Sequence, residues 1–158
     1  MAPAHRMLLL GSVFLFSACG PSQEDREALA AEQRALAAAD TLAQAEAVFA
    51  AEAFDTVRWV AVDSAVARGQ TVFSYSCQKC HGDAGDGSGG FVAQGDTLRP
   101  PSFLTDEWPF RDDHEGLRHQ IFVGTASGMP HWGLEGLKPR DIDAVAHFIR
   151  LGLRDGAP

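Results

Sequence analysis

The sequence predicts an all-α fold from the pattern of its apolar residues and from the composition of one long segment. Apolar side chains recur at helical spacing in the segments 63–73, 113–124 and 139–152. The segment 23–54 is rich in alanine, glutamate and glutamine and contains no glycine or proline, so we expect a long exposed helix there. The four segments together predict a helical protein.

The N-terminal residues 1–18 are predicted to be a signal peptide of the lipoprotein type. A short polar start precedes an apolar run of twelve residues that ends at Ala18. Such a run is too short to span a bilayer as a helix but matches the core of a signal peptide. Small residues directly before Cys19 resemble a bacterial lipoprotein cleavage site, which would make Cys19 the lipidated first residue. Phe16 departs from that pattern, so cleavage by ordinary signal peptidase, without a lipid on Cys19, is the alternative.

Residues 19–58 are predicted to form an acidic tether that is mostly helical. Between residues 23 and 55, two arginines stand against eight carboxylates, a net charge of −6, whereas residues 56–158 carry a net charge of −3. An acidic segment is repelled by anionic lipid and by nucleic acid, so no nucleic-acid partner is expected. Partial disorder of the tether is the alternative to a helix.

The Cys-x-x-Cys-His spacing of Cys77, Cys80 and His81 is typical of a covalent attachment site for a c-type haem. Two thiols one helical turn apart can each add to a vinyl group of haem, and the histidine that follows becomes the proximal iron ligand. A redox-active or zinc-binding Cys-x-x-Cys is the alternative. A zinc site with four thiolates is excluded because the chain has three cysteines. The motif therefore predicts one covalent haem c.

The segments on either side of this motif resemble the monohaem bacterial cytochromes c of the class I type. Gly69-x-x-x-Phe73 leads into the motif like the N-terminal helix of that family, and Phe148 matches the aromatic residue of its C-terminal helix. The resemblance covers roughly residues 63–152. It implies the cytochrome c fold, with three to four helices wrapped around the haem in a domain over residues 59–158. It also implies that the glycine allows the first and last of these helices to cross closely.

Met129 is the expected distal ligand of the iron. Met1 and Met7 leave with the signal peptide, so Met129 is the only thioether of the mature chain. It lies in a Gly-Met-Pro turn that resembles the distal-ligand loop of the same cytochromes. His131 is the rival ligand, and a methionine that fills a gap in the core is the other alternative.

Five further residues are expected to contact the haem: Pro100, Pro101, Arg99, Arg111 and Trp132. In the cytochromes that this chain resembles, a proline of this region directs its carbonyl toward the proximal imidazole, and the sequence does not choose between Pro100 and Pro101. The two arginines are candidates to pair with the haem propionates, with an exposed position as the alternative for each. Three other histidines are expected on exposed helix faces: His114, His119 and His147.

An iron bound by histidine and methionine has no open position, so the site is expected to exchange electrons and not to bind a substrate. The sequence thus predicts a one-electron carrier, not an enzyme in its own right, that is exported and lipid-anchored on the periplasmic face of a bacterial membrane. Its expected partners are respiratory or photosynthetic membrane complexes or soluble redox proteins, which it would serve as a shuttle or as a fixed subunit. A haem enzyme subunit or a gas sensor with a labile sixth ligand is the alternative.

Overall fold

The computed structural model describes residues 20–93 and 96–154 of the chain. The helices and strands in these ranges are α1 (Gln23–Val48), α2 (Val62–Ser76), α3 (Gln78–His81), β1 (Val92–Ala93), β2 (Asp96–Thr97), α4 (His114–Val123) and α5 (Pro139–His147). A 3₁₀ turn over Ala51–Phe54 follows α1, and a π-helical segment over Phe148–Leu153 continues α5. The predicted all-α class is confirmed, and the antiparallel pairing of β1 with β2 is a small addition to it.

Helices α2 and α5 cross closely at the centre of the fold. At Gly69 in α2, a Cβ atom would lie 2.0 Å from the carbonyl oxygen of Ala144 in α5. Beside this contact, the ring centroids of Phe73 and Phe148 are 5.3 Å apart. The expected crossing is therefore confirmed, because the backbone of α5 occupies the space that any side chain at position 69 would need.

The first turn of α2 has no side-chain cap. The helix begins at Val62, and Ala61 caps it without a side-chain hydrogen bond. Asp63 lies in the first turn, where a carboxylate interacts favourably with the positive end of the helix dipole.

The N-terminal arm, which we define as residues 23–54, ends against the rest of the chain. Ala45 and Phe54 are buried, and Phe49 packs against the same core as the later helices. Glu46 Oε2 in α1 lies 2.9 Å from His119 Nε2 in α4. The core therefore extends across the predicted boundary at residue 58.

The predicted signal peptide, residues 1–18, and the predicted lipid-bearing Cys19 lie outside the described residues. Within residues 20–93 and 96–154, no helix combines the length and the apolarity needed to cross a bilayer.

Candidate functional site

Cys77, Cys80 and His81 share one helical turn. Cys77 ends α2 and stands directly before α3, and its carbonyl oxygen accepts the N–H groups of Cys80 and His81 at 3.1 and 3.0 Å. Cys77 is buried and Cys80 is half-buried. The structure thus brings the three predicted haem-binding residues together on a short, hydrogen-bonded turn.

The protonation states of this turn suit a covalent haem site. Burial, and then the neighbouring Cys80, raise the pKa of the Cys77 thiol to about 12. Burial lowers the pKa of His81 to about 4. At neutral pH, His81 is therefore an uncharged imidazole with a lone pair available to a metal. At the same pH, Cys77 is an uncharged thiol that can be buried without the cost of burying a charge.

The glycine-rich segment 82–90 folds back over α3. The N–H of Gly87 donates to the carbonyl oxygen of His81 at 2.8 Å. At Gly89, a Cβ atom would lie 2.4 Å from the carbonyl oxygen of Lys79. Glycine at this position allows the loop to lie directly against the backbone of the Cys-x-x-Cys-His turn.

A cavity of about 390 Å³ opens beside the motif. Its volume falls within the range of roughly 300–1,000 Å³ that is usual for small-molecule and cofactor sites. The wall includes Cys77, Cys80 and His81 and, from the loop before α5, Met129. Much of the remaining wall is apolar and consists of Leu98, Pro100, Pro101, Phe103, Trp108, Phe110, Leu117, Ile121, Pro130, Trp132 and Ile149.

These residues fit a c-type haem by the chemistry of their donor atoms. Two thiols on one turn, a neutral imidazole and a thioether sulfur all belong to the wall of one cavity. The soft sulfur and the imidazole nitrogen are ligands that haem iron accepts. The apolar side chains around them suit the faces of a porphyrin ring.

The loop that carries Met129 is fixed by hydrogen bonds. The N–H of Met129 donates to Thr125 Oγ1 at 3.1 Å, and its carbonyl oxygen accepts the N–H of Thr125 at 3.1 Å. His131, the rival ligand, is hydrogen-bonded through Nδ1 to the carbonyl oxygen of Val123. Among the described residues, Met129 lines the cavity and His131 does not. The geometry therefore favours Met129 over His131 as a ligand.

Four of the five further predicted contact residues line the cavity: Arg99, Pro100, Pro101 and Trp132. Arg111 does not line the cavity. Its guanidinium lies on the surface, 2.5 Å from Asp106 Oδ1. The alternative of an exposed surface arginine is the better description of Arg111 here.

His81 has an aromatic neighbour that the sequence did not predict. The rings of His81 and Phe103 are stacked, with centroids 4.5 Å apart and an interplanar angle of 24°. The Nδ1 atom of His81 is buried and has no hydrogen-bond partner among the described residues, so the expected bond from this nitrogen to a proline carbonyl is not formed here. The only signal for Phe103 was an aromatic residue shortly after Pro100 and Pro101, and an aromatic in a loop has many possible partners.

A charged cluster outside the cavity connects α4, α5 and the segment before α2. Asp143, which is 4% exposed, accepts the Nε1–H of Trp59 at 2.7 Å, while His114 Nε2 and an Arg118 guanidinium nitrogen lie 3.0 and 3.2 Å from its Oδ1. His147 Nε2 is 3.6 Å from its other oxygen. His114 and His147 are thus mostly buried, and their expected place on exposed helix faces is wrong.

The cluster is better suited to joining Trp59 to helices α4 and α5 than to binding a cation. The side chains of His114, Asp143 and His147 are close enough together to hold a metal ion. The guanidinium of Arg118, however, places a fixed positive charge at the same carboxylate oxygen. The cluster therefore holds Trp59 to α4 and α5.

Lowering the pH from 7 to 5 is expected to reduce the free energy of unfolding of the haem-loaded protein. Burial, and then the charge of His114, lower the pKa of His147 below its ordinary value of 6.5. Near pH 6.5 the unfolded chain binds a proton here that the folded chain resists, so the stability present above pH 6.5 is lost as the pH falls. His114, Arg118 and Arg150 are the positive groups that face this imidazole, with Asp143 the only opposing charge among the groups that shift its pKa.

Urea denaturation at pH 7, 6 and 5 tests this expectation. His147→Gln should remove part of the loss, whereas His119→Gln, at a half-exposed imidazole outside the Asp143 cluster, should leave it in place. An unfolding free energy that does not change between pH 7 and 5 would contradict it.

At lower pH, protonation of Asp143 reduces the free energy of unfolding further. Burial raises the pKa of this carboxyl, but hydrogen bonds from His114 and Trp59 outweigh burial and lower it to about 2, so its contribution is present above pH 3.8 and lost toward pH 2.

Three features define the class of the protein as a c-type cytochrome. Two helices cross at a glycine, the cavity beside them is largely apolar, and a Cys-x-x-Cys-His turn lies in the wall of that cavity. A family model described as "Cytochrome C oxidase, cbb3-type, subunit III" matches residues 64–149, more than half of the chain, and the chain belongs to this family. This membership confirms the predicted bacterial cytochrome c class and the c-type haem. It also agrees with the expectation that the chain transfers electrons and is not itself the catalytic enzyme.

Three curated relatives illustrate the similarity. The cbb3-type cytochrome c oxidase subunit FixP of Bradyrhizobium diazoefficiens is 32% identical over 84 residues, which are 52% of this chain and 26% of the relative. The corresponding subunit CcoP is 34% identical over 86 residues in Azospirillum brasilense (54% and 28%) and 30% identical over 94 residues in Rubrivivax gelatinosus (60% and 27%). The chain thus spans about a quarter of the length of these relatives. No solved structure matches it significantly.

Proposed function

We propose that this chain is an exported one-electron carrier with a single covalent haem c, ligated by His81 and Met129. The observation that carries the proposal is the presence of Cys77, Cys80, His81 and Met129 in the wall of one largely apolar cavity. A haem bound there would supply reversible one-electron exchange between Fe(II) and Fe(III).

Each of these residues has a separate part in electron transfer. Cys77 and Cys80 keep the cofactor from dissociating, because thioether bonds to a small domain replace weak packing forces. His81 and Met129 would both ligate the haem iron, which would leave no place for oxygen or an organic substrate. The apolar wall excludes water, and a methionine ligand favours the reduced state, so a positive midpoint potential is expected.

The redox partner is proposed to be a membrane oxidase complex. The similar proteins are named as subunits of cbb3-type cytochrome c oxidases, and the family model carries the same description. Residues 64–149 would then exchange electrons on the periplasmic side of the membrane, as a fixed subunit or as a shuttle between respiratory complexes. A lipid on Cys19 would hold the chain at that membrane.

The purified native chain tests the proposal. Its haem should remain attached in acid–acetone, and its intact mass should show one haem, with acyl groups if Cys19 is lipidated. Carbon monoxide should bind the reduced protein poorly, because Met129 fills the sixth position. Loss of haem in acid–acetone would overturn covalent attachment. Rapid and complete carbon monoxide binding would instead support a gas sensor or a haem enzyme subunit.

A further inference from the structure

The ring of Phe49, directly after α1, lies in an aromatic cluster on α4. Its centroid is 4.7 Å from that of His119 and 5.3 Å from that of Phe122, with both pairs edge to face. The Phe54 ring lies 6.0 Å away on the same arm. Edge-to-face pairs of this kind contribute about 0.5–1.5 kcal/mol each beyond their buried area. The end of the arm is thus held to α4 by specific ring contacts.

Polar contacts fix the same end of the arm. Glu46 Oε2 lies 2.9 Å from His119 Nε2, within hydrogen-bonding distance, one helical turn before Phe49. The guanidinium of Arg118 lies 4.8 Å from the centre of the Phe54 ring. These contacts join the arm to two neighbouring positions of α4, so its register along α4 is defined.

Phe122 connects this cluster to the distal loop, which we define as residues 124–133. Its carbonyl oxygen accepts the N–H of Gly133 at 3.0 Å. A Cβ atom at Gly133 would lie 2.4 Å from the Phe122 ring, so the loop closes directly against that ring. The neighbouring Trp132 and the loop residue Met129 both line the haem cavity.

The distal loop is anchored at both ends on the last turns of α4. The amide of Gln120 donates to the carbonyl oxygen of Gly124 at 2.8 Å, and Val123 accepts a hydrogen bond from His131. A shift of Phe122 therefore moves the loop, because the ring and the carbonyl of this residue both support Gly133.

We propose that Phe49 is a positioning residue of the haem site, which supports the distal loop through Phe122 and so strengthens the bond between Met129 and the iron. Phe49 lies outside the segment 64–149 that the family model matches. The N-terminal arm is then a functional part of the cytochrome and not only a connection to the membrane. This inference rests on the proposed function, since it takes Met129 as the distal ligand.

The test compares variants of the full-length, haem-loaded protein. Phe49→Ala should weaken the near-infrared sulfur-to-iron band of the oxidised state, lower the midpoint potential and speed carbon monoxide binding to the reduced state by roughly fivefold, a size typical of coupling through packed side chains. Phe49→Leu, which restores much of the lost volume, should return these values toward those of the wild type. Leu36→Ala removes a side chain that is 65% exposed on the same helix, and it should change none of them.

Two outcomes would overturn the inference. One is a Phe49→Ala protein with full haem content whose band, potential and carbon monoxide rate equal those of Leu36→Ala. The other applies where the Phe49→Ala chain fails to fold, and it is an unchanged carbon monoxide rate in Glu46→Ala. This variant removes the contact with His119 and should speed carbon monoxide binding by about twofold. A wild-type protein without the band would instead refute the proposed function itself.

Discussion

Met129→Ala is expected to abolish the near-infrared sulfur-to-iron band of the oxidised, haem-loaded protein and to lower its midpoint potential. Met129 is the only methionine that follows Met7 in the sequence, so no other thioether is available near the haem motif. Its loss removes the donor that favours the reduced iron and opens the sixth position. Carbon monoxide, which should bind the wild type poorly, is expected to bind the variant stoichiometrically. Absorption spectra and a redox titration measure all three changes.

His131→Gln is the matched control for this prediction. His131 lies two residues from Met129 but is hydrogen-bonded to the carbonyl oxygen of Val123. The variant should therefore keep the sulfur-to-iron band. An unchanged spectrum in Met129→Ala would show that the ligand assignment is wrong, and a changed one in His131→Gln alone would point to His131 instead.

Gly69→Ala is expected to destabilise the haem-loaded protein by roughly 3 kcal/mol. Alanine improves helix propensity by about 1 kcal/mol, which would stabilise an exposed site. At Gly69, however, the added carbon would lie 2.0 Å from the carbonyl oxygen of Ala144 and 2.6 Å from Phe148 Cβ. A backbone oxygen cannot turn aside as a flexible side chain can, so α2 and α5 must separate.

Chemical denaturation of the holoprotein measures this effect. Gln70→Ala, at the exposed neighbouring position of α2, is the control and should change the unfolding free energy by less than about 0.5 kcal/mol. Equal stabilities of the two variants would show that the helices can adjust at their crossing point and that Gly69 has no packing role.

The features that the sequence predicted are those encoded locally. Helices α2, α4 and α5 follow from apolar spacing within each segment, and the haem turn follows from the spacing of Cys77, Cys80 and His81. Gly69 was interpretable because glycine inside an apolar helix face weakens the helix and requires a compensating contact. Spacing along the chain was sufficient in each of these cases.

The features that the sequence did not predict depend on contacts between distant residues. Trp59 and Asp143 are 84 positions apart, and nothing local indicates that this carboxylate is buried between two helices. The spacing of Asp143 and His147 by four residues was visible, but it equally fits a solvated helix face. Phe49 belongs to an alanine-rich segment that reads as exposed helix, so its ring contacts with α4 required the structure.

The docking of the N-terminal arm on α4 restricts the distance between the haem and the start of the arm. Helix α1 has 26 residues and is about 39 Å long at 1.5 Å per residue. A flexible linker of the same number of residues would spread the cofactor over many heights above the membrane. In a chain with a lipid on Cys19, a helix whose last turns are fixed to α4 would act as a rigid spacer of constant length. Such a spacer would confine the haem to a shell around the anchor and raise its effective concentration at partners within that shell.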